Sequence, residues 1–262
     1  MIVRFHAIGR WRSYEVHVRW APERRPRHPE IEKAIEDAWN GATAERQAKV
    51  LFDGPMCRLE SFAVGLLLEL ELSATSYRIF WGTNLNNPHL AKQFGTDAMA
   101  NPVGLSCALQ SADGLLLLGK RNAQMAYYPL RIHPFAGSLE PAEKIDPFEE
   151  IRRELAEELK LAAEEIDPLS CAALIEDVSI GQPEMIFTAI CTRSAEEIAR
   201  GIDPAEHESL VAIQPVKSEV ESALNDPVMT PIAVGTILLW GREQFGEGWF
   251  DAARRAVNLG ES

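Results

Sequence analysis

The sequence predicts an α+β fold: a mixed β-sheet sandwiched between helices, preceded by an α+β extension of about 100 residues. Three observations carry this. Strand-like runs show the two-residue period of half-buried strands, as where Val16, Val18 and Trp20 alternate with Glu15, His17 and Arg19. These runs are interleaved with helix-like ones, which suits a sheet with helices on both sides. A capped, strongly acidic helix begins at Asp146-Pro147, in the second half of the chain.

The elements follow in order. Residues 2–8 and 14–20 read as two strands, followed by an exposed linker rich in Pro and Arg, RWAPERRPRHPE. Residues 29–49 read as a helix, with Ile31, Ile35, Ala38 and Trp39 on one face. Residues 57–73 form one long β-prone stretch and 77–82 another strand. A short helix at 87–94 starts at Asn87-Pro88. A boundary falls near Asn101-Pro102, dividing the chain into an extension, 1–100, and a second unit, 101–262.

Beyond the boundary, 103–110 and 115–121 flank a Ser-Ala-Asp-Gly turn, which is a hairpin signal. Residues 128–133 read as a third strand leading into Phe135-Ala136-Gly137. After the acidic helix come strands at 171–178 and 185–192, a surface helix at 194–200 and a strand at 210–216. Thr230-Pro231 caps a helix that runs to Trp240, and 246–257 reads as a last amphipathic piece.

Asp146 can cap free N–H groups, and Pro147 at the first helical position loses no hydrogen bond. Phe148, Ile151, Leu155, Leu159 and Ala162 fall within about 80° of arc, a single buried stripe. Glu150, Glu154, Glu157 and Glu158 share a different face, where like charges three and four residues apart repel by a few tenths of a kcal/mol per pair. Charge runs usually mean a solvated face. Carboxylates gathered this closely also suit a hard divalent cation, Mg²⁺ or Mn²⁺. Arg153, among these acids, is placed to hold one of them by a forked contact.

Gly137, Glu143, Arg153, Glu154, Leu155, Glu157, Glu158 and Leu161 together resemble the signature box of the Nudix hydrolases. Two departures stand out. The segment from Glu143 to Arg153 is two residues longer than in the usual box, and Lys160 replaces the small residue after the helix. The second predicts that the helix runs on through Ala162 and Ala163. Ahead of the box, Leu51-Phe52-Asp53-Gly54-Pro55, Arg58-Leu59, Thr75-Ser76-Tyr77-Arg78, Gly82-Thr83-Asn84, Gly95-Thr96-Asp97 and Asn101-Pro102-Val103-Gly104 come in one order. This ensemble resembles the Nudix subgroup that contains the mammalian UDP-glucose/UDP-galactose hydrolase.

The resemblance implies a Nudix fold and cleavage of a UDP-sugar to UMP and a sugar 1-phosphate. It implies Glu154, Glu157 and Glu158 as metal ligands, with a backbone carbonyl at or near Gly137, and Glu143 as a buttress of Arg153. Candidates for the base are Glu157, Glu184 at the mouth of a strand, and Glu206 or Glu208 in a loop. Candidate substrate contacts are Tyr77, Arg78, Thr83, Asn84, Asp97 and Arg121. The polar groups of the Gly-Thr-Asn and Gly-Thr-Asp strings suit a uracil edge or ribose hydroxyls, or simply turns. Arg78 and Arg121 can fork onto a diphosphate or make ordinary ion pairs. Alternatives are another substrate, such as ADP-ribose, and a nucleotide-sugar-binding module without turnover.

Composition narrows the classes. The 262 residues are 46% hydrophobic and 25% charged, ordinary for a soluble globular protein. A net charge of −13 argues against nucleic acid as a partner. The apolar run 62–68 is too short to span a bilayer, and the N-terminus does not read as a signal peptide, so a cytoplasmic location is expected. Four widely spaced cysteines read as buried thiols, and six scattered histidines form no zinc pattern. The extension is available either for a uridine pocket or for a homodimer surface.

Overall fold

The computed structural model describes residues 2–44 and 52–259. The expected end of the first helix, 45–49, and Leu51 at the head of the first family string lie outside them. The larger sheet has the order β1-β9-β10-β5-β6-β11, with β8 paired to β5 and β7 to β6. Its strands are β1 (Val3–Trp11), β5 (Gly104–Gln110), β6 (Leu116–Arg121), β7 (Ile132–His133), β8 (Phe135–Ser138), β9 (Ile166–Asp177), β10 (Gln182–Cys191) and β11 (His207–Ile213). β5 and β10 run parallel and the other pairs antiparallel, which makes the sheet mixed. A smaller sheet, β2-β4-β3, comprises β2 (Val16–Trp20), β3 (Pro55–Val64) and β4 (Leu68–Ser76).

Helices cover both faces of the larger sheet, the α+β sandwich expected. α4 (Pro147–Leu159) lays Phe148, Ile151, Leu155 and Leu159 onto Leu105, Cys107, Leu109, Phe135 and Phe187. On the other face α7 (Pro231–Phe245) packs Ala233, Val234, Ile237 and Leu238 onto Ala108, Leu116 and Leu118, joined by Phe250 of α8 (Glu247–Leu259). Successive residues of β5 and β6 thus serve opposite layers, as a two-residue period requires. The four cysteines are free and buried. No helix among the described residues is long and apolar enough to cross a membrane.

The extension holds α1 (Pro29–Ala44), α2 (Tyr77–Phe80), a π-helical turn Trp81–Leu85 and α3 (Leu90–Phe94). It is tied to the larger sheet by backbone bonds from Cys57 to Leu139 and from Val103 to Cys57, both 2.8 Å. β1 leaves the extension altogether and pairs with β9, so the larger sheet spans both sides of residue 101.

Several local expectations are corrected. The β-prone stretch 57–73 is not one strand but the hairpin β3–β4, turning at Gly65, whose N–H donates to the Leu67 carbonyl at 2.9 Å. The strand expected at 77–82 is helical. A Cβ at Gly82 would lie 2.4 Å from Ile35 Cα, so packing on α1 overrides the β-propensity of an aromatic run. Of the strand expected at 128–133 only Ile132 and His133 are extended in the sheet, because Tyr128 and Leu130 take left-handed φ values of 52° and 61°. The acidic helix stops at Leu159. Lys160 is a left-handed cap at φ 57°, and Ala162 lies exposed beyond it instead of extending the buried stripe. The strand expected at 210–216 is β11, three residues earlier, and α6 (Lys217–Leu224) follows it, where no helix is expected.

Candidate active site

The site is built on α4. Asp146 accepts hydrogen bonds from the N–H groups of Phe148 at 3.0 Å and Glu149 at 3.4 Å, with Pro147 at the first position. This cap fixes the phase of the helix, and the phase sets where each glutamate falls. Arg153 forks onto Glu150, Nη2 to Oε1 at 2.6 Å and Nε to Oε2 at 3.3 Å. It also reaches Glu154 at 2.7 Å and Glu157 at 2.8 Å. Glu143 is exposed and has no hydrogen-bond or ion-pair partner among the described residues, so the guanidinium is organised by acids of its own helix.

Glu154 leans over Gly137 of β8, where a Cβ would lie 2.2 Å from the Glu154 Cδ. The glycine is therefore what admits the carboxylate to the sheet. Burial, opposed by Arg153 and reinforced by Glu158, Glu150 and Glu157, pushes the Glu154 carboxyl up to about 8. Glu157 stays exposed on the outer side of Arg153.

Glu158 goes the other way. It is 2% exposed, and its Oε2 lies 3.0 Å from Nε2 of His207, itself 3% exposed. Its Oε1 accepts from the Ala136 N–H at 3.4 Å. Burial first, then Glu206, pushes the Glu158 carboxyl well above the ordinary carboxylate range. Burial also pulls His207 down to about 4, against the pull of Glu206 and Asp203. The imidazole is therefore neutral at neutral pH, and one proton lies between Oε2 and Nε2. His207 fits because Gly119 has no Cβ; one there would meet Nδ1 at 2.3 Å. Phe135 stands edge-on to its ring at 5.2 Å.

Glu158, Glu206 and His207 bring one ligand atom each within 4.8 Å of one another. Nδ1 of His207 is buried and has no hydrogen-bond partner. Two carboxylates and one neutral imidazole, with the Glu158 carboxylate disfavoured by burial unless a cation offsets it, fit a hard or borderline divalent metal. The structure thus gathers Glu158 with Glu206 and His207, while Glu154 and Glu157 gather on Arg153. His207 was not legible in the sequence. It is 49 residues from Glu158, lies just ahead of the segment read as a strand, and belongs to no histidine spacing motif.

Glu184, a candidate base, sits elsewhere. It pairs in register with Gly104, fills the space a Cβ there would take, and accepts from Ser106 Oγ at 2.5 Å. Alternation along β5 puts Gly104 and Ser106 on the face opposite Leu105, which pairs with Gly137. Glu184 and Glu154 therefore lie on opposite faces of the sheet. Burial pushes the Glu184 carboxyl up to about 8.

The candidate substrate contacts divide. Thr83 donates to the Ile79 carbonyl at 2.6 Å, and Asn84 bonds Ile180, Gly181 and Ala100, so both spend their polar groups inside the fold. Asp97 is exposed, with its carbonyl on Arg58. Tyr77 packs edge-on to Phe80, and the Arg78 N–H donates to Asp53. Arg121 is buried at the end of β6, opposite His207 in register, with its Cζ 4.9 Å from the Tyr127 ring centre. A cavity of about 680 Å³ between extension and sheet is walled by Phe62, Asn84, Lys92, Ile180 and Pro183, and none of the box glutamates lines it.

No family model matches the chain. The chain is 28% identical over 264 residues to the human protein named uridine diphosphate glucose pyrophosphatase NUDT22, covering 86% of each. The mouse protein of that name is 28% identical over 277 residues, covering 90% of this chain and 88% of its own. Among solved structures, a mutT/nudix family protein from Listeria innocua is 20% identical at a TM-score of 0.39, covering 60% of this chain and 96% of its own. A C. elegans Ap4A hydrolase is 14% identical at a TM-score of 0.39, covering 55% and 99%. The resemblance read from the box and the strings ahead of it is met by the curated relatives.

Proposed function

We propose that this chain is a Nudix-type diphosphatase that cleaves a UDP-sugar, UDP-glucose or UDP-galactose, to UMP and a sugar 1-phosphate with the help of Mg²⁺ or Mn²⁺. The observation that carries the reading is a complete Arg-Glu-Leu-Ala-Glu-Glu box in a chain 28% identical, over 86% of its length, to a protein named UDP-glucose pyrophosphatase.

The geometry supports it as follows. Glu158 and His207, with one oxygen of Glu206, would hold the metal, and we add Glu154, one turn earlier in the box, as a further ligand. Bound there, the ion supplies charge neutralisation on the phosphoryl oxygens and an acidified water. Arg153 keeps Glu150, Glu154 and Glu157 from repelling one another apart. His207 fixes the rotamer of Glu158 and can carry the proton they share. Glu206 has no ion pair among the described residues and sits beside Glu158, so we assign it the water proton. Water oxygen bonds to phosphorus, the bridging P–O bond breaks, and the bridging oxygen leaves on the second phosphate.

The test is phosphate release, coupled to a phosphatase, from UDP-glucose, UDP-galactose, ADP-ribose, CoA and a dinucleotide in Mg²⁺. Turnover confined to the UDP-sugars is expected. Preference for ADP-ribose, or UDP-glucose binding without hydrolysis over hours, overturns the assignment.

A further inference from the structure

We infer that Arg121 is an anion clamp, whose guanidinium, held against Tyr127, grips the phosphoryl oxygens of the substrate diphosphate. The identity of that anion rests on the diphosphatase reading; the existence of the clamp rests on observations of its own.

A buried guanidinium needs a counter-charge, because removing it from water unpaired is strongly unfavourable. The other buried arginines obey this. Arg58 is 2.5 Å from Glu60, and Arg25 is 2.8 Å from Glu32. Arg121 is only 6% exposed and yet forms no ion pair among the described residues, and its Nε is buried with no hydrogen-bond partner. In register it lies opposite His207, the 3.0 Å partner of Glu158, so it stands beside the site's charged groups without an ion pair to any of them among the described residues.

Its position is also fixed in advance. The Arg121 N–H donates to the Arg131 carbonyl at 2.9 Å, and the Asn122 N–H to the Glu206 carbonyl at 2.7 Å. The first bond ties the end of β6 to the residue ahead of β7, and the second ties it to the segment that carries Glu206 and His207. Tyr127 holds the guanidinium by its face, which leaves the donor edge for a ligand. A planar fork with unspent donors, next to a carboxylate and imidazole cluster that fits a cation, is suited to a diphosphate lying across both.

The experiment compares the full-length chain with R121M and R121K, using inorganic pyrophosphate as the probe. Affinity is measured by calorimetry with and without Mg²⁺, melting temperature is measured with and without pyrophosphate, and KM and kcat are measured on UDP-glucose. R121M is expected to bind pyrophosphate about 10- to 100-fold more weakly, the size of a lost charged hydrogen-bond pair. Without ligand it should melt at or above the parent, since an uncompensated buried charge has gone. R121K keeps the charge but not the fork, and should also lose affinity and raise KM.

Unchanged pyrophosphate affinity in both variants overturns the clamp, as does a parent chain whose melting temperature pyrophosphate does not raise. The two readings fail separately. A parent that binds pyrophosphate through Arg121 but hydrolyses no UDP-sugar keeps the clamp and loses the diphosphatase. A parent that hydrolyses UDP-glucose with KM and pyrophosphate binding indifferent to Arg121 does the reverse.

Discussion

Replacing Gly137 with Ala should separate the catalytic role proposed for Glu154 from its contribution to stability. The new Cβ would lie 2.2 Å from both Cδ and Oε1 of Glu154 and 2.5 Å from Cγ. Ordinary contact is near 3.4–4 Å, so the carboxylate must retreat by roughly 1–2 Å. The backbone need not move. Gly137 is not among the left-handed positions, so alanine suits its strand conformation. What yields is the end of a flexible side chain, together with its contact to an Arg153 that is 43% exposed.

The stability terms are small. A partly exposed ion pair is worth about 0–1 kcal/mol, and Gly→Ala in a compatible conformation returns about 0.4–1 kcal/mol through the unfolded chain. The melting temperature should therefore shift by no more than about 4 °C. Turnover should fall far more, because a misplacement of about 1 Å at a reacting centre costs about 10²-fold. The assay is kcat/KM on UDP-glucose across a Mg²⁺ titration, beside calorimetric melting. Unchanged kcat/KM in a stable variant would show that the position of Glu154 is irrelevant to the chemistry. A collapse in melting temperature would show that backbone, not side chain, absorbs the clash.

Three further outcomes are expected. Glu158→Gln should lower activity by a few orders of magnitude while leaving melting intact, because the amide can still meet His207; near-normal turnover in Mg²⁺ would contradict the ligand assignment. Lys160→Gly should stabilise the chain by about 0.5–1 kcal/mol in urea, since a lysine at φ 57° is strained where glycine is not, although the 2.7 Å bond from Lys160 Nζ to the Glu157 carbonyl is lost. Glu184→Gln should flatten the pH dependence of stability. With the folded carboxyl raised to about 8 from an ordinary 4.5, the native state holds a proton the unfolded chain releases, so stability is full below about pH 4.5 and is lost as pH rises toward 8. The loss is on the order of a few kcal/mol, and melting curves from pH 5 to 8.5 that keep the same slope in the variant would refute it.

What could be read from the sequence was what local rules govern. Asp146-Pro147 announces its helix because capping and proline geometry act within a few residues, and Arg153 finds its acids because they lie one turn away. The end of the same helix is not legible, because only the left-handed φ of Lys160 stops it, and a lysine does not advertise that conformation. The strand expected at 77–82 failed for a different reason: the contact between Gly82 and Ile35 that imposes a helical turn is made across the fold. Helical arithmetic put Glu154 and Glu158 on one face but could not say that one would lean over a glycine and the other would be sealed under β11. The Asp203 N–H that donates to the Glu158 carbonyl at 2.8 Å brings that cover, and His207 with it, from some 50 residues away.

The electrostatics of the site argue for a ligand more firmly than any one residue does. Glu154 and Glu158 are held where burial favours their neutral forms, His207 is held neutral beside them, and Arg121 is buried without a counter-ion. Each arrangement alone is unfavourable, and nothing in the fold demands any of them, since α4 already has a complete apolar stripe. A core built only for stability would replace such groups with packed hydrophobes at little loss. Acids that gain from a cation, next to a cation that gains from an anion, are complementary to a ligand carrying both charges at once. A metal-bound diphosphate is such a ligand, whereas a neutral sugar or a bare nucleobase would leave every one of these groups as costly as it is in the free protein.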